Sequence, residues 1–229
     1  MNKICVIIPA YNASKNIRKV IEEAKDHVLP VVVVDDGSTD NTTYISKTTK
    51  AKVIRFPKNR GKGKALATAF LFAIKNGYNL VITVDADGQH DAKNSIPILL
   101  DAYKRFKADM VIGSRAYAFN QMTFLRRFWN RLSAGAISKM AKRKIDDTQS
   151  GLRLITTELL QAIPVTTSRY EAELELLIKA CKKGFNVITI PISINYINGR
   201  NSSHYRPVVD TFRICMLYLR SLLWPKNIK

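Results

Sequence analysis

The chain has 229 residues, 46% of them hydrophobic, enough for one large domain with a real core and against disorder as the default state. Lys and Arg number 37 against 18 Asp and Glu, a net charge of +19, so the expected partners are anionic: nucleotide phosphates, nucleic acid or an acidic membrane face. The three cysteines, Cys5, Cys181 and Cys215, are unpatterned and lie in apolar contexts, which argues against a disulfide framework or zinc site and for buried free thiols in a reducing compartment.

In chain order, Met1-Asn2-Lys3 leads into the apolar run 4–8 with no secretory signal pattern, and that run, ended by Pro9, predicts a buried strand. Ser14 is placed to cap a helix over about 15–26, with Ile17, Val20, Ile21 and Ala24 on one face. Valines 31–34 predict a second buried strand, followed by the turn Asp36-Gly37-Ser38-Thr39-Asp40, whose last residue can cap a short helix. A strand at 52–56, a Gly/Lys loop, a helix over about 63–76 stopped by Gly77, a strand at 80–84, a helix near 94–106 and a strand at 110–112 continue the pattern. This alternation predicts an α/β fold with a Rossmann-like, mostly parallel central sheet and helices on both faces. In such sheets ligands bind beyond the carboxyl ends of the strands, and the polar clusters 9–12, 35–40, 60–64, 85–90 and 113–115 all fall there.

The second half changes character. Residues 115–144 carry eight basic side chains and no acid, with Phe119, Phe124, Phe128 and Trp129 interleaved among Arg126, Arg127 and Arg131. That stretch reads either as an amphipathic helix packed on the sheet or as a helix lying in a lipid headgroup layer. Residues 148–153 read as a polar Gly turn, 171–183 as a helix, 187–196 as a strand pair or edge strand around Pro191, and 207–224 as a last, broadly apolar helix. The longest apolar run in that helix, 214–219, is too short to span a bilayer, which needs about 20 residues.

Three clusters carry candidate chemistry. Asp85-Ala86-Asp87 follows a buried strand, where alternate residues point the same way. Two acids so placed repel, and either a hard cation such as Mg²⁺ or Mn²⁺ lies between them, with Gln89 as a further oxygen donor, or they cap a turn. Asp35-Asp36 precedes a tight turn and offers carboxylates for a base N–H or ribose hydroxyl. Asn59-Arg60-Gly61-Lys62-Gly63-Lys64 is neither a Walker A nor a dinucleotide fingerprint, yet two glycines and two lysines at a helix start favour an anion as much as plain solvation.

The segments VIIPAYN (6–12), VVDDGSTDNT (33–42), NRGKGKALATAF (59–70), VDADGQHD (84–91), IGSR (112–115), DTQSGLRL (147–154), YEAELELLIKACKKGFNVITIPI (170–192) and SSHYRPVVDTFRI (202–214) together resemble family 2 glycosyltransferases of the GT-A fold. The likeness is greatest to the branch of dolichyl- or polyprenyl-phosphate sugar synthases. It implies one glycosyltransferase domain over 1–229: a nucleotide-sugar half (1–115), an acceptor-side half (116–205) and a C-terminal amphipathic helix (206–229). It implies that Pro9, Ala10, Tyr11, Asn12, Asp36, Gly61, Lys62, Asp85 and Ala86 bind the nucleotide, and that Asp85, Asp87 and Gln89 hold Mg²⁺ or Mn²⁺. Asp87, Arg115, Arg131 and Gln149 form the implied catalytic set, with Gln149 and Ser150 beside the sugar. Arg131 and Ser133 dock the acceptor's phosphate, and Arg200, Ser203 and His204 form a lid over the donor. Two departures stand out: Ala13 occupies a position that is acidic in many relatives, and the C-terminal membrane helices of many synthases have no counterpart in this sequence.

The resulting expectation is a metal-dependent inverting transferase that moves a sugar from a UDP- or GDP-linked donor to polyprenyl phosphate on the cytoplasmic face of an anionic membrane. A membrane-anchored partner or homo-oligomer would serve the same end. A lipid phosphate is already anionic and needs no strong base; a sugar hydroxyl would need one, for which Glu173 and Asp147 are candidates, with His90 a weaker one. The alternatives are the same donor chemistry on a glycan, a non-catalytic sugar-nucleotide binder, and a basic nucleic-acid-binding protein. Against the last, the carboxylate loops would repel a phosphate backbone, so no nucleic acid is expected.

Overall fold

A computed structural model describes residues 3–115, 134, 135, 137–139, 143–195, 213, 216, 217, 219–221 and 224. Seven strands form one sheet: β1 (Ile4–Ala10), β2 (Val31–Asp35), β3 (Lys52–Arg55), β4 (Leu80–Thr83), β5 (Met110–Ser114), β6 (Arg153–Thr156) and β7 (Val187–Pro191). Their order is β3-β2-β1-β4-β6-β5-β7, with every neighbouring pair parallel except the two made by β6. The fold is therefore the mostly parallel α/β sheet that the alternation predicts. The strand order reverses at β1, which lies between β2 and β4, and that switch point is where such sheets open a ligand crevice.

The helices are α1 (Ile17–Lys25), α2 (Thr42–Thr48), α3 (Lys62–Lys75), α4 (Ala92–Phe106), α5 (Thr157–Ala162) and α6 (Glu171–Lys182). Successive residues of β1 feed opposite layers. Cys5 and Ile7 pack with Ala65, Leu66 and Phe70 of α3 and with Leu174 and Leu177 of α6. Val6 and Ile8 pack with Ile17, Val20 and Ile21 of α1 and with Ile96 and Leu99 of α4. Burying both faces is what makes these strands continuously apolar rather than alternating. Cys5 and Cys181 are buried free thiols, both pushed up to about 12 by burial; Cys215 lies outside the described residues.

Some local expectations change. Ser14 does not cap α1: its N–H donates to Asp40 Oδ2 at 3.0 Å, and Asn16 stands at the N-cap. Asp40 itself accepts the N–H of Thr42 at 3.0 Å, so it does secure the start of α2, although Asn41 holds the cap position. Gly77 sits just past α3 with φ +67°, as a helix stop requires. Residues 148–153 are a turn only as far as Leu152: Arg153 opens β6, and Thr156 then caps α5 by accepting the N–H of Leu159 at 3.3 Å. An arginine at the head of a four-residue strand hides it from a search for apolar runs. Of the last expected helix, the described residues 213, 216, 217 and 219–221 are helical, with Leu217 in the core and Leu219 exposed. Among the described residues no helix is long and apolar enough to cross a membrane.

Candidate active site

The carboxyl ends of β1, β2 and β4 and the start of α3 surround a cavity of about 640 Å³. Every residue expected at the nucleotide lines it: Pro9, Ala10, Tyr11, Asn12, Asp36, Gly61, Lys62, Asp85 and Ala86, together with Asp87. Arg169 and Tyr170, which the sequence did not single out, close it from the segment before α6. Gln89, Arg115 and Gln149 do not line the cavity. Arg131, Ser133, Arg200, Ser203 and His204 lie outside the described residues.

The adjacent acids after β2 divide the work of holding two loops. Asp35, fully buried, accepts the N–H of Ser38 at 2.9 Å and closes the turn. Asp36 accepts the backbone N–H groups of Arg60 (2.6 Å) and Gly61 (2.8 Å), which ties the glycine-lysine loop to the end of β2. Burial pushes the Asp36 carboxyl up, against the pull of those two donors. Asn12, at φ +48°, joins the same scaffold: its N–H donates to Ser38 Oγ (2.9 Å) and its Oδ1 accepts from Thr39 N–H (2.8 Å).

At the other wall Lys62, the first residue of α3, places Nζ 2.5 Å from Asp85 Oδ1 and 2.9 Å from Glu173 Oε2. Burial works against the lysine's charge, but Asp85 and then Glu173 outweigh it and hold the ammonium protonated well above its usual range. The same contact holds Asp85 far below the carboxylate range despite its burial, with His90 Nε2 3.8 Å away as a second positive neighbour when protonated. Asp87 goes the other way: burial, then the charge of Asp85, pushes it up, while the N–H of Gln89 donates to its Oδ1 at 3.0 Å. Asn16 Nδ2 donates to the Asp87 carbonyl at 2.7 Å and pins the loop. Gly151 packs so tightly on Asp85 that a Cβ there would lie 2.1 Å from Oδ2.

These residues fit a hard divalent cation. The pair offers carboxylate oxygens, and burial together with the charge of Asp85 pushes Asp87 up, a repulsion that a cation between them would relieve. Among the described residues no three His, Cys, Asp or Glu side chains converge closely enough to hold a metal by themselves. Two carboxylates, with Gln89, would leave the other coordination positions to a ligand's oxygens, the usual arrangement for Mg²⁺ with phosphates.

The remaining charges are paired in depth. Arg115, after β5, donates from Nε to Asp147 Oδ2 at 2.8 Å and from Nη2 to Oδ1 at 3.3 Å. Asp147 also accepts the N–H of Gln149 at 3.0 Å and so fixes the start of that loop. Arg153 is buried, and its guanidinium donates to the carbonyls of Ser150 (2.8 Å), Glu173 (2.7 Å) and Thr148 (3.0 Å). It locks the 148–151 loop to the first turn of α6. Both arginines feel the acids of the site: Asp85 and Asp87 add to the hold of Asp147 on Arg115. Glu173 and Asp147, the two candidate bases, are thus each in an ion pair with a cation.

The family model described as Glycosyl transferase family 2 matches residues 5–163. A UDP-N-acetylglucosamine–dolichyl-phosphate N-acetylglucosaminyltransferase of Methanococcus voltae is 30% identical over 216 residues, covering 84% of this chain and 86% of that protein. A dolichyl-phosphate beta-glucosyltransferase of Saccharomyces cerevisiae is 32% identical over 229 residues, covering 86% of this chain and 68% of its own. The crystal structure of glucosyl-3-phosphoglycerate synthase from Mycobacterium tuberculosis, in complex with Mn²⁺, UDP and glucosyl-3-phosphoglycerate, superposes with a TM-score of 0.73 at 20% identity. That superposition covers 98% of this chain and 81% of the synthase, and the shared architecture is the GT-A fold.

Proposed function

The chain belongs to glycosyl transferase family 2, and from that premise we propose that it transfers a sugar, with inversion, from a UDP- or GDP-linked donor to a polyprenyl phosphate. The observation that carries this reading is the cavity beyond β1, β2 and β4, where the Asp85/Asp87 pair meets Lys62 and the loops tied by Asp36. The two dolichyl-phosphate glycosyltransferases among its relatives favour a lipid phosphate as acceptor.

In this reading Pro9, Ala10, Tyr11 and Asn12 shape the nucleoside end of the pocket, and Asp36 keeps the loop carrying Gly61 and Lys62 against it. Asp85 and Asp87, with Gln89, would hold Mg²⁺ or Mn²⁺, which when bound would supply electrostatic stabilisation of the departing nucleoside diphosphate. Lys62 and Arg115 add fixed positive charge at the same end of the sheet, already desolvated and held by Glu173 and Asp147. Such preorganised charge costs no reorganisation when the bond breaks. Gln149, fixed by Asp147, borders the sugar. The acceptor oxygen attacks the anomeric carbon from the face opposite the leaving diphosphate. A phosphate acceptor arrives deprotonated, which suits a site whose two further carboxylates are in ion pairs rather than free to take a proton.

Arg131 and Ser133 receive the acceptor phosphate, and Arg200, Ser203 and His204 close over the donor. The 1–115 half binds the donor, 116–205 the acceptor, and 206–229 with the basic stretch 115–144 lies on the cytoplasmic face of an anionic membrane. The test is transfer of labelled sugar from UDP- and GDP-sugars, with Mn²⁺, to polyprenyl phosphate. Label extracted with the lipid, lost in Asp87→Ala and not transferred to a saccharide, is the expected result. Transfer to the saccharide alone would overturn the acceptor assignment.

A further inference from the structure

Lys62 occupies a curious position for a phosphate-binding lysine. Its side chain is 16% exposed and its ammonium lies between two carboxylates, 2.5 Å from Asp85 and 2.9 Å from Glu173. It stands on the very carboxylate to which the proposed function gives a divalent cation. A divalent cation on the Asp85 carboxylate would stand within a few ångströms of the Lys62 ammonium, and like charges that close in a partly buried site repel by on the order of several kcal/mol.

We propose that Lys62 is a resident counter-cation: it neutralises Asp85 in the free protein and withdraws to Glu173 when a divalent cation and nucleotide diphosphate arrive together. The inference rests on the donor chemistry proposed above and adds an order of events to it. Glu173 is the positioning residue that makes the exchange feasible. A buried lysine with one partner would be stranded when that partner is taken. With Glu173 behind it, Lys62 gives up one ion pair and keeps the other, next to the incoming phosphates. The Glu173 backbone is anchored: its carbonyl accepts from the buried Arg153 at 2.7 Å, and it lies in the first turn of α6. Gly151 packs directly on the Asp85 carboxylate, where a Cβ would lie 2.1 Å from Oδ2 and 2.4 Å from Oδ1.

The exchange predicts that the cation and nucleotide bind as a unit. A cation alone must evict Lys62 with nothing to receive its charge but Glu173, whereas a diphosphate offers the ammonium new oxygens.

The test measures Mn²⁺ binding, by electron paramagnetic resonance of free Mn²⁺, to the full chain and to Lys62→Met, Glu173→Gln and Lys64→Met. Each is measured alone and with UDP or GDP. Lys64 is exposed two residues further along α3, and replacing it removes the same charge without touching the Lys62–Asp85 contact. Lys62→Met should bind Mn²⁺ alone at least about tenfold tighter than the wild type and lose most of the nucleotide's enhancement. Glu173→Gln should bind Mn²⁺ alone more weakly, because Lys62 then leans wholly on Asp85. Lys64→Met should stay within about twofold of the wild type. Unchanged or weaker Mn²⁺ binding by Lys62→Met, or an equal gain in Lys64→Met, overturns the proposal. If Lys62→Met fails to fold, a crystal structure of the wild type with Mn²⁺ and UDP or GDP decides. Nζ within hydrogen-bond distance of Glu173 but not of Asp85 supports the exchange; an intact contact with Asp85 ends it. No nucleotide binding to any of the four proteins sinks the donor chemistry itself, while the Mn²⁺-only arm still judges Lys62.

Discussion

At the scale of single residues, the site is held by close approaches and buried ion pairs rather than by flexible surface charges. A methyl group at position 151 would meet Asp85 Oδ2 at 2.1 Å and its Cγ at 2.4 Å. Gly151→Ala should therefore fold with a loss of about 1–3 kcal/mol in urea titration, the usual cost of overpacking, while losing Mn²⁺-dependent nucleotide binding. Asp147 is fully buried and its partner Arg115 nearly so. Asp147→Asn leaves a buried guanidinium without its counter-charge and should cost about 3 kcal/mol or more in the same titration. A double-mutant cycle with Arg115→Met should recover most of that loss. The Asp85/Asp87 pair was legible because two acids after an apolar run demand an explanation. Their lysine partner was legible only as an anion-binding residue, because nothing in the spacing of 62, 85 and 173 announces that they meet. Arg153 was missed: in a sequence, a buried arginine looks like any exposed one.

At the scale of elements, α6 carries the difference between what a sequence reveals and what packing decides. Ten consecutive residues of it, 172–181, are buried, including Glu173, Glu175 and Lys179. By period alone those charges belong on a solvent face. They are covered because the 164–170 segment, Arg153 and Trp224 close over them; the Lys179 ammonium lies 5.4 Å from the Trp224 ring. Glu175 accepts the N–H of Thr167 at 2.8 Å, both Thr166 and Thr167 hydroxyls, and Lys179 Nζ at 2.5 Å. It thereby anchors the segment whose next residues, Arg169 and Tyr170, line the cavity. Burial opposes its ionisation, but Lys179 and the threonines hold Glu175 below its ordinary value of 4.5. Its contribution is complete above that value and is lost as pH falls through the folded-state pKa. The urea midpoint of the wild type should thus fall in acid more steeply than that of Glu175→Gln. At pH 7 the variant should be the less stable by about 3 kcal/mol. The four βα units from β1 to α4, and β5 after them, were readable from alternating apolar runs. β6 and α5 were not, because a four-residue strand headed by Arg153 and a six-residue helix offer too little period to detect.

At the scale of the molecule, the net charge of +19 is not concentrated in the cavity, whose lining sets Asp36, Asp40, Asp85 and Asp87 against Lys15, Lys62 and Arg169. Each Lys or Arg near an anionic leaflet contributes about 1 kcal/mol, so a handful would suffice for reversible binding. In flotation, the protein should rise with vesicles containing phosphatidylglycerol at low salt, stay behind with neutral ones, and be released by about 0.5 M salt, where the Debye length has shrunk severalfold. The mostly parallel sheet follows from the alternation of elements, and with it the edge on which the ligand loops gather; the strand order and the switch point at β1 are read from the structure. What no periodicity could supply is the internal counter-charge that lets an acidic pocket exist before its ligand arrives. The central claim is that Asp85 and Asp87 hold a nucleotide diphosphate through a divalent cation. The most direct measurement is the thermal unfolding midpoint with UDP, GDP and their sugars, with and without Mn²⁺, for the wild type and Asp87→Ala. Stabilisation follows ligand affinity, so the wild type should shift strongly only when Mn²⁺ and nucleotide are both present, and Asp87→Ala should not shift. Equal shifts with and without Mn²⁺, or an undiminished shift in Asp87→Ala, would contradict it.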